Sequence, residues 1–156
     1  HIPIRFITNL LTIWLKTKKD NMATLTPTLT LVSTDLTTDS INLSTSTTFT
    51  CSHTTGFARK KITSTAIGTA SGQVTIDTAD EFGSPSVIYI KNPQAYHASN
   101  NIIFAYFVGP DGTDRHEIQL NGGQFAYIPA TSDSTLKCFT STSGTIVEFA
   151  VFGDQS

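Results

Sequence analysis

Charge is scarce in this sequence: only 14% of its 156 residues are Asp, Glu, Lys or Arg. That scarcity argues against a nucleic-acid binder, because affinity for phosphate comes mainly from clustered Lys and Arg. It does not imply disorder, since 38% of the residues are hydrophobic and such a chain buries enough apolar surface to fold. Cysteine is nearly absent too. Cys51 and Cys138 are too few for a disulfide framework; each lies on an apolar-alternating run with a phenylalanine, Phe49 or Phe139, and both are expected as buried free thiols. Asn42-Leu43-Ser44 matches a glycosylation sequon, which has meaning only in a secreted chain. Long apolar runs are missing as well: residues 6–15 and 102–108 fall short of the about 20 residues that cross a bilayer as a helix.

The constellations that carry chemistry are also missing. His1, His53, His97 and His116 share no ligand spacing, and there is no Cys-x-x-Cys of the kind a zinc site needs. Asp77, Asp80 and Glu81, like Asp111 and Asp114, sit in turn-rich stretches without the alternating oxygen ligands and closing Glu of a calcium loop. No Gly-x-Ser-x-Gly elbow occurs, and Gly68-Thr69-Ala70-Ser71-Gly72 runs into Gln73 where a phosphate loop has Lys. The expectation is therefore a non-enzyme with no catalytic residue, cofactor or metal, binding neither nucleic acid nor membrane.

What is present is strand patterning. Ser and Thr make up roughly a quarter of the chain and alternate with apolar residues, as in Thr24-Leu25-Thr26-Pro27-Thr28-Leu29-Thr30-Leu31. A period of two places the apolar residues on one sheet face and the hydroxyls on the other. Strands are expected at about 24–33, 40–51, 57–66, 74–76, 86–92, 102–108, 115–120, 125–129, 134–140 and 145–152, with Thr78 to Pro85 a loop. Pro27 demotes part of the first strand to an edge. With no helical period between them, about eight to ten short strands predict an all-β fold, an antiparallel, jelly-roll-like β-sandwich in one domain, residues 22–156.

Residues 1–21 read differently. They hold the only Trp, Trp14, and four of the ten basic residues, Arg5, Lys16, Lys18 and Lys19. The positive charge follows the apolar run, the reverse of a signal peptide. Lys18-Lys19-Asp20-Asn21-Met22 can be encoded by AAAAAGGATAATATG, in which a ribosome-binding sequence precedes a start codon, so Met22 is expected as the true start and residues 1–21 as a non-native, upstream-translated or disordered head. Without the head, six basic and eleven acidic residues remain, a net charge of −5.

Two strands break the half-buried rule. Residues 102–108 are apolar at both parities, and in 146–152 Ile146, Ala150 and Phe152 oppose Val147, Phe149 and Val151. A sandwich strand has one core face, so the other needs a cover: the chain's own loops, or a neighbouring subunit in a small ring such as a homotrimer. Phe104 and Phe107, on opposite faces of one strand, are candidate partner contacts. So are Arg59 and Lys61 of Arg59-Lys60-Lys61, which share a strand face and either guard an edge or meet an acidic partner.

Met22-Ala23-Thr24-Leu25-Thr26-Pro27-Thr28-Leu29-Thr30-Leu31 resembles the start of small virion proteins of marine tailed bacteriophages, and Val87-Ile88-Tyr89-Ile90-Lys91-Asn92 their strand ending in Lys-Asn. Leu120 to Pro129 is similar to their Leu-x-Pro-Gly-Glu-x-x-x-x-Pro segment, with Gly122 in place of Pro and Gln124 in place of Glu, and Val147-Glu148-Phe149 resembles their final strand. The resemblance spans residues 22–156. It implies a non-enzymatic β-sandwich structural component of the virion, a capsid decoration, cement or head- or tail-associated protein, assembled in the bacterial cytoplasm with other virion subunits as partners. The alternative is a receptor- or carbohydrate-binding module of a tail or fibre, with Tyr89, Tyr96, Tyr106 or Tyr127 lining a groove. Mass spectrometry of the native N-terminal peptide is expected to find a chain starting at Met22 or Ala23; an intact peptide spanning Asp20 to Thr24 rules that out.

Overall fold

The computed structural model describes residues 23–34, 41–68, 71–77, 82–108, 114–130 and 135–155. The head at 1–21, the turn at Asp111-Gly112, Asp80 and Glu81 lie outside them. The described residues hold no helix and fold into antiparallel strands.

The first two alternating runs form a ribbon. Strands β1 (Ala23–Leu25) and β2 (Thr28–Ser33) run antiparallel to β4 (Phe49–Cys51) and β3 (Ile41–Ser46) respectively. The register is continuous: Leu25 faces Phe49, and Thr28 faces Ser46. Pro27 causes the interruption, because its carbonyl accepts from Thr47 N–H at 3.3 Å while its ring nitrogen has no hydrogen to return. A short strand that the alternation did not predict, β5 (His53–Thr54), ties the ribbon's root to the end of the last strand. Ser52 N–H donates to Gly153 O at 3.1 Å.

The rest is a jelly roll. Strands β6 (Ala58–Ile62), β7 (Val74–Asp77), β8 (Phe82–Lys91) and β9 (Ile103–Val108) run out, and β10 (Asp114–Leu120), β11 (Phe125–Ala130), β12 (Thr135–Thr140) and β13 (Thr145–Gln155) return. The pairs are nested: β9 with β10, β8 with β11, β7 with β12, and β6 with β13. This is one long double strand rolled up so that β8 also meets β13 and β9 also meets β12. The result is two sheets, β6-β13-β8-β11 and β7-β12-β9-β10, the double-sheet solution that leaves few free edges.

The core lies between them. One sheet contributes Ile62, Ile88, Ile90, Val147, Phe149 and Val151, the other Val74, Ile76, Ile103, Ala105, Leu136 and Cys138, all 5% exposed or less. Each fully buried aliphatic side chain here is worth about 1.5–3 kcal/mol relative to exposure. Residues 82–85, expected as loop, belong to β8 instead. Pro85 is tolerated because the β8–β13 register shifts between Gly153 and Gln155, so the ladder does not require its missing donor.

A buried asparagine pins the loops at one end. Asn92 is fully buried, and its Nδ2 donates to Asn101 O at 2.6 Å and Leu120 O at 2.9 Å, while Oδ1 accepts from Gln94 N–H at 3.2 Å. Close by, a Cβ on Gly122 would overlap the Ala95 carbonyl, which is why a residue without a side chain stands there. Asn92→Ala removes the donor to the buried Leu120 carbonyl and the part-buried Asn101 carbonyl and is expected to cost about 3 kcal/mol in urea unfolding.

Both cysteines are buried and unbridged. Burial pushes the Cys138 thiol up from 9.0 to about 12. The folded chain keeps this proton while the unfolded chain loses it above pH 9. The stability involved is therefore complete below pH 9 and declines toward pH 12, by about 1.4 kcal/mol per pH unit. Urea midpoints measured from about pH 8 to about pH 11 should fall less steeply in Cys138→Ala than in the parent.

Candidate docking surfaces

Strand periodicity decides which aromatic side chains face outward. On β9, Ile103 and Ala105 point into the core and Phe107 packs against it; Phe104 and Tyr106 therefore take the opposite face. There Phe104 stacks on Phe139 of β12, with ring centroids 4.9 Å apart at 17°, and Tyr106 meets Phe139 edge-on at 6.0 Å. Tyr106 is only 1% exposed, its hydroxyl donating to Gln73 Oε1 at 2.9 Å. The second apolar face of residues 102–108 is thus an aromatic cluster, with half-buried Phe104 and Phe139 outermost. Of the two phenylalanines proposed as partner contacts, Phe104 occupies the outer surface and Phe107 borders the core.

The other sheet also carries rings on its outside. Phe57, 73% exposed, stands edge-on to Tyr89 at 5.7 Å and to Phe152 at 6.3 Å, and Tyr89 lies 6.4 Å from Phe125. Ala150 and Val87 share this outward parity and are buried nonetheless. Between this sheet and the ribbon runs an uncharged groove of about 610 Å³, walled by Pro27 and Leu29 on one side and Tyr89, Phe125 and Tyr127 on the other. Burial raises the pKa of both tyrosines, helped by the Glu148 charge at Tyr89 and by Cys51 at Tyr127, so both stay neutral phenols near pH 7. Of the four tyrosines considered for a binding groove, these two line it; Tyr106 is buried and Tyr96 stands 71% exposed in the loop after Asn92.

The basic cluster occupies β6. Arg59 faces Glu148 in register, with Nε and Nη2 each 2.7 Å from Oε2. Arg59 is 69% exposed, so the pair is worth about 0.2–1 kcal/mol. Lys61 is exposed opposite Ile146, on the same face as Arg59. Lys60 takes the other face, its Nζ 5.6 Å above the Phe149 ring. A guanidinium already answered by Glu148 has less to offer an acidic partner than an isolated one, which leaves Lys61 as the more available charge.

Among the described residues no group of three His, Cys, Asp or Glu is placed to hold a metal ion. The feature that alternation left unread is the ribbon itself, which stands on the sandwich rather than in it. Its signal was the missing charge: residues 23–34 and 41–52 contain no Asp, Glu, Lys or Arg. No family model matches the chain, and no curated protein matches it.

The two faces of β9 should respond differently to truncation. Phe107→Ala is expected to cost about 3 kcal/mol of fold stability, and Phe104→Ala, which loses mainly one ring stack, about 1 kcal/mol. Equilibrium unfolding of both variants checks the difference.

Proposed function

We propose that this chain is a non-enzymatic structural subunit of a bacteriophage virion, a capsid decoration or head-associated protein that docks through the outer aromatic faces of its sandwich. The observation that supports this most is the Phe104–Phe139 stack on the outside of the β7-β12-β9-β10 sheet. Two large rings packed on each other outside the core reduce their own hydration only in part, and a neighbouring subunit covering them gains the remainder. Aromatic residues are the preferred anchors of protein interfaces. The likeness of residues 22–156 to small virion proteins points the same way, and jelly rolls are frequent among capsid domains, an analogy of fold rather than of function.

Co-sedimentation with purified capsid shells or tails tests this reading. The chain should pellet with one of them, and Phe104→Asp combined with Phe139→Asp should weaken that binding tenfold or more while leaving the circular dichroism unchanged. Binding that ignores both substitutions overturns the docking face.

The second reading, a receptor- or carbohydrate-binding module, draws on one observation, the aromatic wall of Tyr89, Phe125 and Tyr127 along the groove. A glycan array returning a saturable ligand whose binding is lost in Tyr89→Ala favours it over the first.

A further inference from the structure

The ribbon is built against the rules that keep strand edges monomeric. Exposed edges are ordinarily protected by Lys, Pro, bulges or a covering element, and the sandwich obeys this at β6, with Arg59, Lys60 and Lys61 in succession. Beyond Pro27 the ribbon has none of these. Strands β2 and β3 carry no charge and no proline, and they pair with each other and with no other described strand. One face is an apolar stripe, Leu29 (46% exposed), Leu31 (48%) and Leu43 (50%) with Ile41 at its end; the other is Thr28, Thr30, Ser44 and Ser46 around Val32 (67% exposed). A two-stranded hairpin on its own is marginally stable in water, so a well-formed one with its leucines in solvent calls for a cover.

We propose that this ribbon is a self-association arm, its distal apolar stripe covered by the groove and arm of a second copy of the chain. Charge selects the occupant. The arm's strands and the groove wall contain no Asp, Glu, Lys or Arg, while Asp35 and Asp39 lie in the connection between β2 and β3, outside the described residues, so a charged partner laid along the strands would lose hydration without gaining an ion pair. The surface that fits is an uncharged strand pair with apolar residues on one face, which is what the arm itself presents. A two-fold contact between identical copies brings arm and groove together twice in one step.

Area sets the extent of the contact. Six residues per strand give the distal arm a face roughly 20 Å by 10 Å, about 200 Å², whereas a stable interface covers about 800 Å² on each partner. Contact between arm tips alone is too small. Each arm must therefore reach the other copy's groove, where Tyr89, Phe125 and Tyr127 enlarge the buried surface. The inference deepens the structural reading above by naming the partner of one surface, and it rests on that reading only in treating apolar outer surface as covered.

Light scattering on the full chain at micromolar concentration tests it. The expected mass is at least twice the single-chain 16.8 kDa, falling to the single-chain value in the Leu31→Asp, Leu43→Thr double variant, whose substituted positions are about half exposed in the free chain and face each other without a like-charge pair, so that circular dichroism should be unchanged. A monomeric parent, or an oligomer indifferent to the double substitution, overturns the arm model. So does a glycan that binds the groove of a monomer. If the monomer still pellets with capsid shells through Phe104 and Phe139, the arm inference fails while the structural reading stands.

Discussion

Pairing between β8 and β13 is the interaction on which the remaining structure depends. It joins the outgoing and returning halves of the rolled double strand in the middle of a sheet, with Ile88 and Ile90 beside Val151 and Phe149. All four side chains belong to the single core cluster. Because side chains alternate across a strand, the same register also determines what stands outside: Tyr89 beside Ala150, and Val87 beside Phe152. A slip of one residue would exchange the two sets. The core and the outer aromatic surface are therefore not independent features, and selection on either constrains the other.

The two outer faces differ in how they meet solvent. On one, Phe104, Tyr106 and Phe139 form a compact cluster tied down by a hydrogen bond to Gln73. On the other, the rings of Phe152, Phe57, Tyr89 and Phe125 form a chain leading toward the ribbon. A compact cluster suits a flat neighbour, and an extended row beside a groove suits an elongated one. The proposal of a virion subunit with two distinct contacts draws on that difference.

Much of the fold was legible in the sequence because period-two patterning is a strong local signal. The strands of the sandwich fall close to where alternation puts them, and the effect of Pro27 is the one its missing N–H dictates. Pro85 misled, since a register shift in a distant strand removed the demand for its donor, and local sequence does not contain that information. The nesting of the strands was unreadable for the same reason, because β6 meets β13 across most of the chain. Alternation also says that a face is covered without saying by what. It could not separate Phe104 from Phe107, nor a ribbon lying on the sandwich from strands within it. Asn92 was visible only as the end of a strand, and its role as a pin depends on carbonyls from two later segments.

The position of β13 has a consequence for biosynthesis. The strand at the centre of its sheet is the last of the eight sandwich strands in chain order, so seven of them are synthesised before the element that unites them exists. Until then β8 offers a long apolar edge, and the arm with its uncharged strands has already emerged. The sandwich completes its fold only once β13 has been synthesised, and crowding among nascent copies is the stage at which its greasy, uncharged segments are most exposed to one another.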